Sequence, residues 1–230
     1  MKLTELHIQK LYTFTQKHYV DWYDVQTELV DHLANGIEDH LEQNPNATFE
    51  SALNMEFKKF GIMGFNDVIE EKTKALNTHY RKLVWKYFIG FFKLPKIILT
   101  LFLVWVYFEL FQFIPNKNWI VIPTFAILFI VPTIFFINVT KQIRKTEYLT
   151  NKKWLFDSIS LQLGGLVHIL NIGIYSGYFF ESISNWSTLL QAVLSVAIVL
   201  LAMIIYISIF IVSPKLRKDM AKLHPEYIYV

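Results

Sequence analysis

Between residues 157 and 175 the chain sets Asp157, Ser160, Gly164, His168, Asn171 and Tyr175 in one stripe along a helical face. An imidazole such as His168 exchanges a proton near neutral pH, and a lone carboxylate, Glu109, interrupts a separate apolar run. If those two runs pack together, Glu109 can pair with His168, Asn171 or Tyr175. Such a stripe could line a proton or ion path, or a ligand pocket. The same residues have a plainer use in helix packing. Small and hydrogen-bonding side chains hold apolar helices together, and Ser160/Gly164 and Gly173/Gly177 both have the spacing that allows close approach.

A second constellation lies earlier. Glu28, His32 and Asp39 fall within about 40° on one helical face at 3.6 residues per turn. Carboxylates and an imidazole so placed suit a divalent cation. A metal site would draw ligands from a second helix, though, and the following segment offers only Glu50 and Glu56. The plainer reading is a solvated face with a helix-supporting Glu28–His32 pair. We therefore expect neither a metal nor another cofactor. The chain has no cysteine, which excludes thiolate ligands, disulfides and cysteine nucleophiles. It has no glycine-rich phosphate loop, no HExxH and no GxSxG. Only Glu109 lies at a depth to assist His168, so an enzyme is not expected.

The elements that must carry these residues are membrane spans. Covering a bilayer core takes roughly 20 apolar helical residues. Four stretches qualify, at about 97–114, 118–140, 155–180 and 187–213. Basic residues cluster in the segment before the first (Arg81, Lys82, Lys86, Lys93, Lys96). A second cluster lies between the second and third (Lys141, Arg144, Lys145, Lys152, Lys153), and a third follows the fourth (Lys215, Arg217, Lys218, Lys222). All three fall on one side of a four-span arrangement. The bias of Lys and Arg toward the cytoplasm then puts both termini inside. These basic segments are also able to attract anionic lipid, though fixing the topology is use enough for them. Trp119, Trp154 and Trp186 lie at predicted span ends, where amphipathic rings favour the interface. Pro95, Pro115 and Pro214 are expected to bound helices, and Pro132 to lie inside the second span and kink it.

Residues 1–80 are a different material, with a net charge of −6 against +9 for residues 81–230. Val30, Leu33, Ile37 and Leu41 repeat at helical spacing in a helix over 21–43 that Asn44-Pro45 ends. Thr48 is placed to cap a third helix, with Phe49, Ala52, Leu53, Phe57 and Phe60 on its buried side and Gly61 as its stop. A shorter helix near 3–18 precedes these, and a long one opens at Asn66 or Asp67.

The run Glu28-Leu29-Val30-Asp31-His32-Leu33, then Ile37-Glu38, Phe49-Glu50-Ser51-Ala52-Leu53 and Phe60-Gly61, resembles the HAAS-type helical domain over residues 20–80. That domain precedes multi-span regions in many bacterial membrane proteins and is often associated with PadR-type transcriptional regulators. After its glycine the family usually has an Asp-Pro type step, where this chain has Gly61-Ile62-Met63-Gly64-Phe65. The resemblance implies a signalling or interaction module and supplies no catalytic residues.

The fold expected is therefore all-α. It has a cytoplasmic helical domain at 1–80, a basic juxtamembrane linker helix at 81–96, four spans within 97–213, and a cytoplasmic tail at 214–230. The function expected is that of a regulatory or accessory protein of a bacterial inner membrane. Its head binds a protein partner, not nucleic acid, and its spans sense something or dock to a membrane complex. The alternative is a small transporter or channel-like protein using the polar stripe.

Overall fold

The computed structural model describes residues 2–162 and 186–227, and every regular element among them is a helix. In chain order these are α1 (Glu5–Lys17), α2 (Tyr23–Gln43), α3 (Phe49–Lys58), α4 (Asn66–Gly90), α5 (Lys96–Phe113), α6 (Asn118–Thr150), α7 (Leu155–Leu161) and α8 (Thr188–Tyr206). A π-helical segment (Ile207–Val212) and α9 (Ser213–Leu223) follow. The chain divides into two compact units. One comprises Met1–Leu76 with Glu147–Ile159, and the other Asn77–Thr146 with Ser160–Val230.

The first unit, the head, is built as its sequence directs. Thr4 caps α1 by accepting from the His7 amide, while the His7 ring reaches back to the Thr4 amide. Thr48 caps α3 by accepting from the Ser51 amide at 3.2 Å. Leu29, Val30, Leu33 and Ile37 of α2 are fully buried against Leu11 and Ala52. Phe14, Phe57, Phe60 and Phe65 meet edge to face beside them. The turn from α3 to α4 has positive φ at Gly61 (72°) and Gly64 (57°), a conformation that side chains with a Cβ resist. One member of this core comes from far along the chain. Leu155 is 3% exposed and packs within the head. Residues 155–159, counted above with the third span, thus belong to the head unit.

Among the described residues, three helices are long and apolar enough to cross a membrane, Lys96–Phe113, Asn118–Thr150 and Thr188–Leu223, and they lie in the second unit apart from the end of α6 from Glu147 on. Their broad apolar exposure, at Leu101, Trp105, Ile127, Ile134 and Val193 for example, suits a hydrocarbon surround. The remainder of the expected third span, from residue 163, lies outside the described residues.

Two proline readings resolve differently. Pro95 sits at the N-cap of α5, and α5 ends at Phe113, just before Pro115. Pro214 does not end its helix. It occupies the first turn of α9, directly after the π segment, where the Ser213 amide reaches back five residues to the Ser208 carbonyl. A proline in an α-helix clashes with the carbonyl four residues back, and the widened turn relieves that clash so that the helix continues to Leu223.

A polar pair inside this unit escaped the sequence reading. Gln112 of α5 donates to Gln191 of α8 at 3.0 Å, and Gln191 donates to the Trp186 carbonyl at 2.9 Å. Replacing Gln191 with Leu should cost about 1 kcal/mol, the scale of hydrogen bonds between membrane helices. The Gln112→Leu/Gln191→Leu double variant should cost less than the two single changes added together. Unfolding in mixed micelles measures both.

Candidate functional site

The most elaborate polar arrangement in the head lies where α2 begins. Trp22 and Lys153 run side by side as an isolated parallel bridge, and the Tyr23 amide donates to the Lys153 carbonyl at 2.7 Å. This brings Asp24, on the first turn of α2, to the start of α7. The first amides of any helix lack internal partners, and a carboxylate there also meets the positive end of the helix dipole. Asp24 supplies that carboxylate across 131 residues of sequence. Its Oδ1 accepts from the Leu155 amide at 3.0 Å and from its neighbour Val25 at 3.2 Å, and its Oδ2 accepts from the Phe156 amide at 3.4 Å. Asp24 is buried, as are Trp154, Leu155 and Phe156. Trp154 meets the Tyr23 ring edge-on at 5.3 Å, and the Lys152 ammonium lies 3.7 Å from the centre of that ring.

Lys72 of α4 completes the cluster by pairing with Glu28, one turn along α2 from Asp24. Burial pushes the Lys72 ammonium below the ordinary lysine range, with the Asp24 carboxylate pulling the other way. The folded head therefore holds this proton less tightly than the unfolded chain does. It follows that the Lys72 contribution is complete above the ordinary lysine value and is lost as pH falls through the depressed folded value. The melting temperature of the detergent-solubilised protein should carry a component that rises with pH on the approach to the ordinary lysine value of about 10.5, and Lys72→Met should flatten it.

The residues singled out by sequence are distributed as follows. Glu28, His32 and Asp39 are exposed on α2. Glu28 is engaged by Lys72, and His32 packs edge-on to Phe60 at 5.7 Å. Among the described residues no three His, Asp or Glu side chains are grouped to hold a metal ion. Glu109 is exposed on α5. Asp157 is buried in the first turn of α7, within the head unit. Ser160 is buried in the second unit with its hydroxyl 3.4 Å from that of Ser213. Gly164, His168, Asn171, Gly173, Tyr175 and Gly177 lie outside the described residues, and with them every pairing expected for Glu109.

A second feature of the head is a groove of about 420 Å³ between α1 and α3. Leu6, Phe14, Phe49 and Leu53 form its floor and walls, and Lys10 and Glu50 bridge its rim at 3.3 Å. Leu6 is 63% exposed there. The Glu50 carboxyl is held below the ordinary carboxylate range by hydrogen bonding to its own backbone at the start of α3, and next by Lys10.

Sequence reasoning missed Asp24 and the 152–156 segment. A faint signal existed at Asn151, whose positive φ (51°) ends α6 and turns the chain, since Asn tolerates that region. Searches with the whole chain find no matching family, no matching curated protein and no matching solved structure.

Proposed function

We propose that this chain is a regulatory or accessory membrane protein whose cytoplasmic head binds a protein partner and whose spans sense a membrane event or dock to a membrane complex. The observation that carries this reading is the construction of the head. The head unit includes Glu147–Ile159 as well as the first 76 residues, with Leu155 in its core, so the chain passes between head and membrane unit three times, within α4, α6 and α7. A head joined at one point is free to act alone. A head that incorporates the connection between two spans has its core coupled to the disposition of those spans, which is what a sensor or a regulated adaptor requires.

The same construction supports the four-span topology with both termini in the cytoplasm of a bacterial cell. Residues near 75 and near 150 share one compact unit, as the distribution of Lys and Arg expects. The α1–α3 groove supports the partner-binding role. Its apolar floor and charged rim suit the apolar face of an amphipathic helix, in line with the interaction module implied by the HAAS-type resemblance.

The test is purification in mild detergent at native expression, comparing the wild type with a Leu6→Asp/Leu53→Asp groove variant. A stoichiometric protein that copurifies with the wild type and is lost from a folded groove variant supports the proposal. A wild type that purifies alone, in detergent and after cross-linking in membranes alike, overturns it.

A further inference from the structure

The membrane unit holds a cavity of about 440 Å³ between α6 and the π segment with α9. Its walls are graded. Ile134 and Phe135 of α6 face Phe210 of the π segment at one end, while Asn138, Gln142 and Arg217 line the other. Polarity rises toward the C-terminal end of both helices together, so the cavity is amphipathic along its length. Ile134 to Gln142 spans about 12 Å at 1.5 Å per residue.

Arg217 is 3% exposed, and its Nη1 donates to Gln142 Oε1 at 3.1 Å. A guanidinium is planar and rigid, and it matches phosphate oxygens two at a time. The π segment is what keeps it there. By letting the helix run on through Pro214, it mounts Arg217 on a continuous helix whose Val212 and Leu216 are buried, rather than on a tail. Such wide turns occur often at functional sites. Lys141 and Lys145 lie on the same stretch of α6 as Gln142, and Lys215 and Lys218 flank Arg217 on α9, with Lys215 donating to the Tyr87 hydroxyl at 3.2 Å. Basic residues at a membrane surface attract anionic lipid.

We propose that this cavity binds one anionic phospholipid, with an acyl chain along Ile134, Phe135 and Phe210 and its phosphodiester at Arg217. The inference rests on the membrane reading above but not on any particular partner. The test uses full-length protein in neutral detergent. Native mass spectrometry follows retention of phosphatidylglycerol and phosphatidylcholine, with inorganic phosphate as competitor. The wild type is expected to retain one phosphatidylglycerol at least tenfold more tightly than phosphatidylcholine, undisturbed by millimolar phosphate. Arg217→Gln should bring the ratio of the two lipids close to one, and Arg217→Lys should fall between. Ile134→Trp, which fills the cavity and leaves the charge, should lower retention of both lipids and covers the case in which Arg217→Gln does not fold. A wild type without preference overturns the proposal, as do displacement by phosphate and undiminished retention by Ile134→Trp. A chain that stays dissolved without detergent would instead refute the membrane reading itself.

Discussion

Asp24→Ala should lower the unfolding free energy of the head by about 3 kcal/mol and open the chain to trypsin at Lys152 and Lys153. The carboxylate accepts from two amides at the start of α7 and from Val25, all in buried surroundings. Loss of a helix cap alone costs up to about 2 kcal/mol, and each buried donor left without an acceptor adds roughly 1–3 kcal/mol. Partial relaxation of the 152–156 segment brings the sum back toward the lower end. Asp24→Asn separates shape from charge. One oxygen remains to accept, the volume is unchanged, and the negative charge near Lys72 is gone, so about half the loss is expected. Limited proteolysis and thermal melting in detergent read out both variants. Melting unchanged in Asp24→Ala, with no new cleavage at Lys152 or Lys153, would mean that α7 holds its place in the head without the clamp.

Why the clamp escaped sequence reasoning is instructive. Periodicity reports which face of a helix is apolar, and it placed Val30, Leu33, Ile37 and Leu41 correctly in the core. Asp24 lies off that face, so it reads as solvated. What buries it is a segment 131 residues away, and a helical wheel carries no information about that. Hydropathy is silent in a related way about 155–159, which cluster with the head unit. Leu155, Phe156 and Ile159 are buried, but apart from Asp157 they read as the start of the apolar run toward residue 180. Apolar composition does not distinguish burial in protein from burial in lipid. Local chemistry was far more legible. The Thr48 cap, the stop at Gly61 and the start at Asn66 or Asp67 each depend on one or two residues, and the structure has the cap at Thr48, a positive φ at Gly61 and the helix start at Asn66. Helix ends beyond the hydrocarbon were not. The spans expected at 118–140 and 187–213 continue as helix to Thr150 and Leu223, because charge marks where lipid ends and leaves the backbone free to remain helical. Of the candidate residues, Glu28 was recognised on the correct face without its partner Lys72, which lies on another helix.

The sharpest consequence concerns two tryptophans that the sequence treats alike. Trp119 and Trp154 both stand at predicted span ends, and both fit an aromatic belt at the membrane surface. The structure separates them, with Trp119 76% exposed and Trp154 2% exposed, packed against Tyr23. Trp154→Ala should therefore cost about 3–5 kcal/mol, as removal of a large core side chain does. Trp119→Ala should stay within about 0.5 kcal/mol, as exposed substitutions usually do. Trp154→Phe should recover much of the loss, because the edge-on contact with Tyr23 needs an aromatic ring rather than an indole in particular. The comparison is best made in one detergent at one protein concentration, so that micelle effects on the two sites cancel. Equal, small losses would make Trp154 a surface anchor and detach 147–159 from the head unit, and with it the three-point connection from which the coupling of head to spans was argued. A large loss at Trp154 alone, accompanied by cleavage at Lys152 and Lys153, would show that the connection between the spans is held as part of the head's own core.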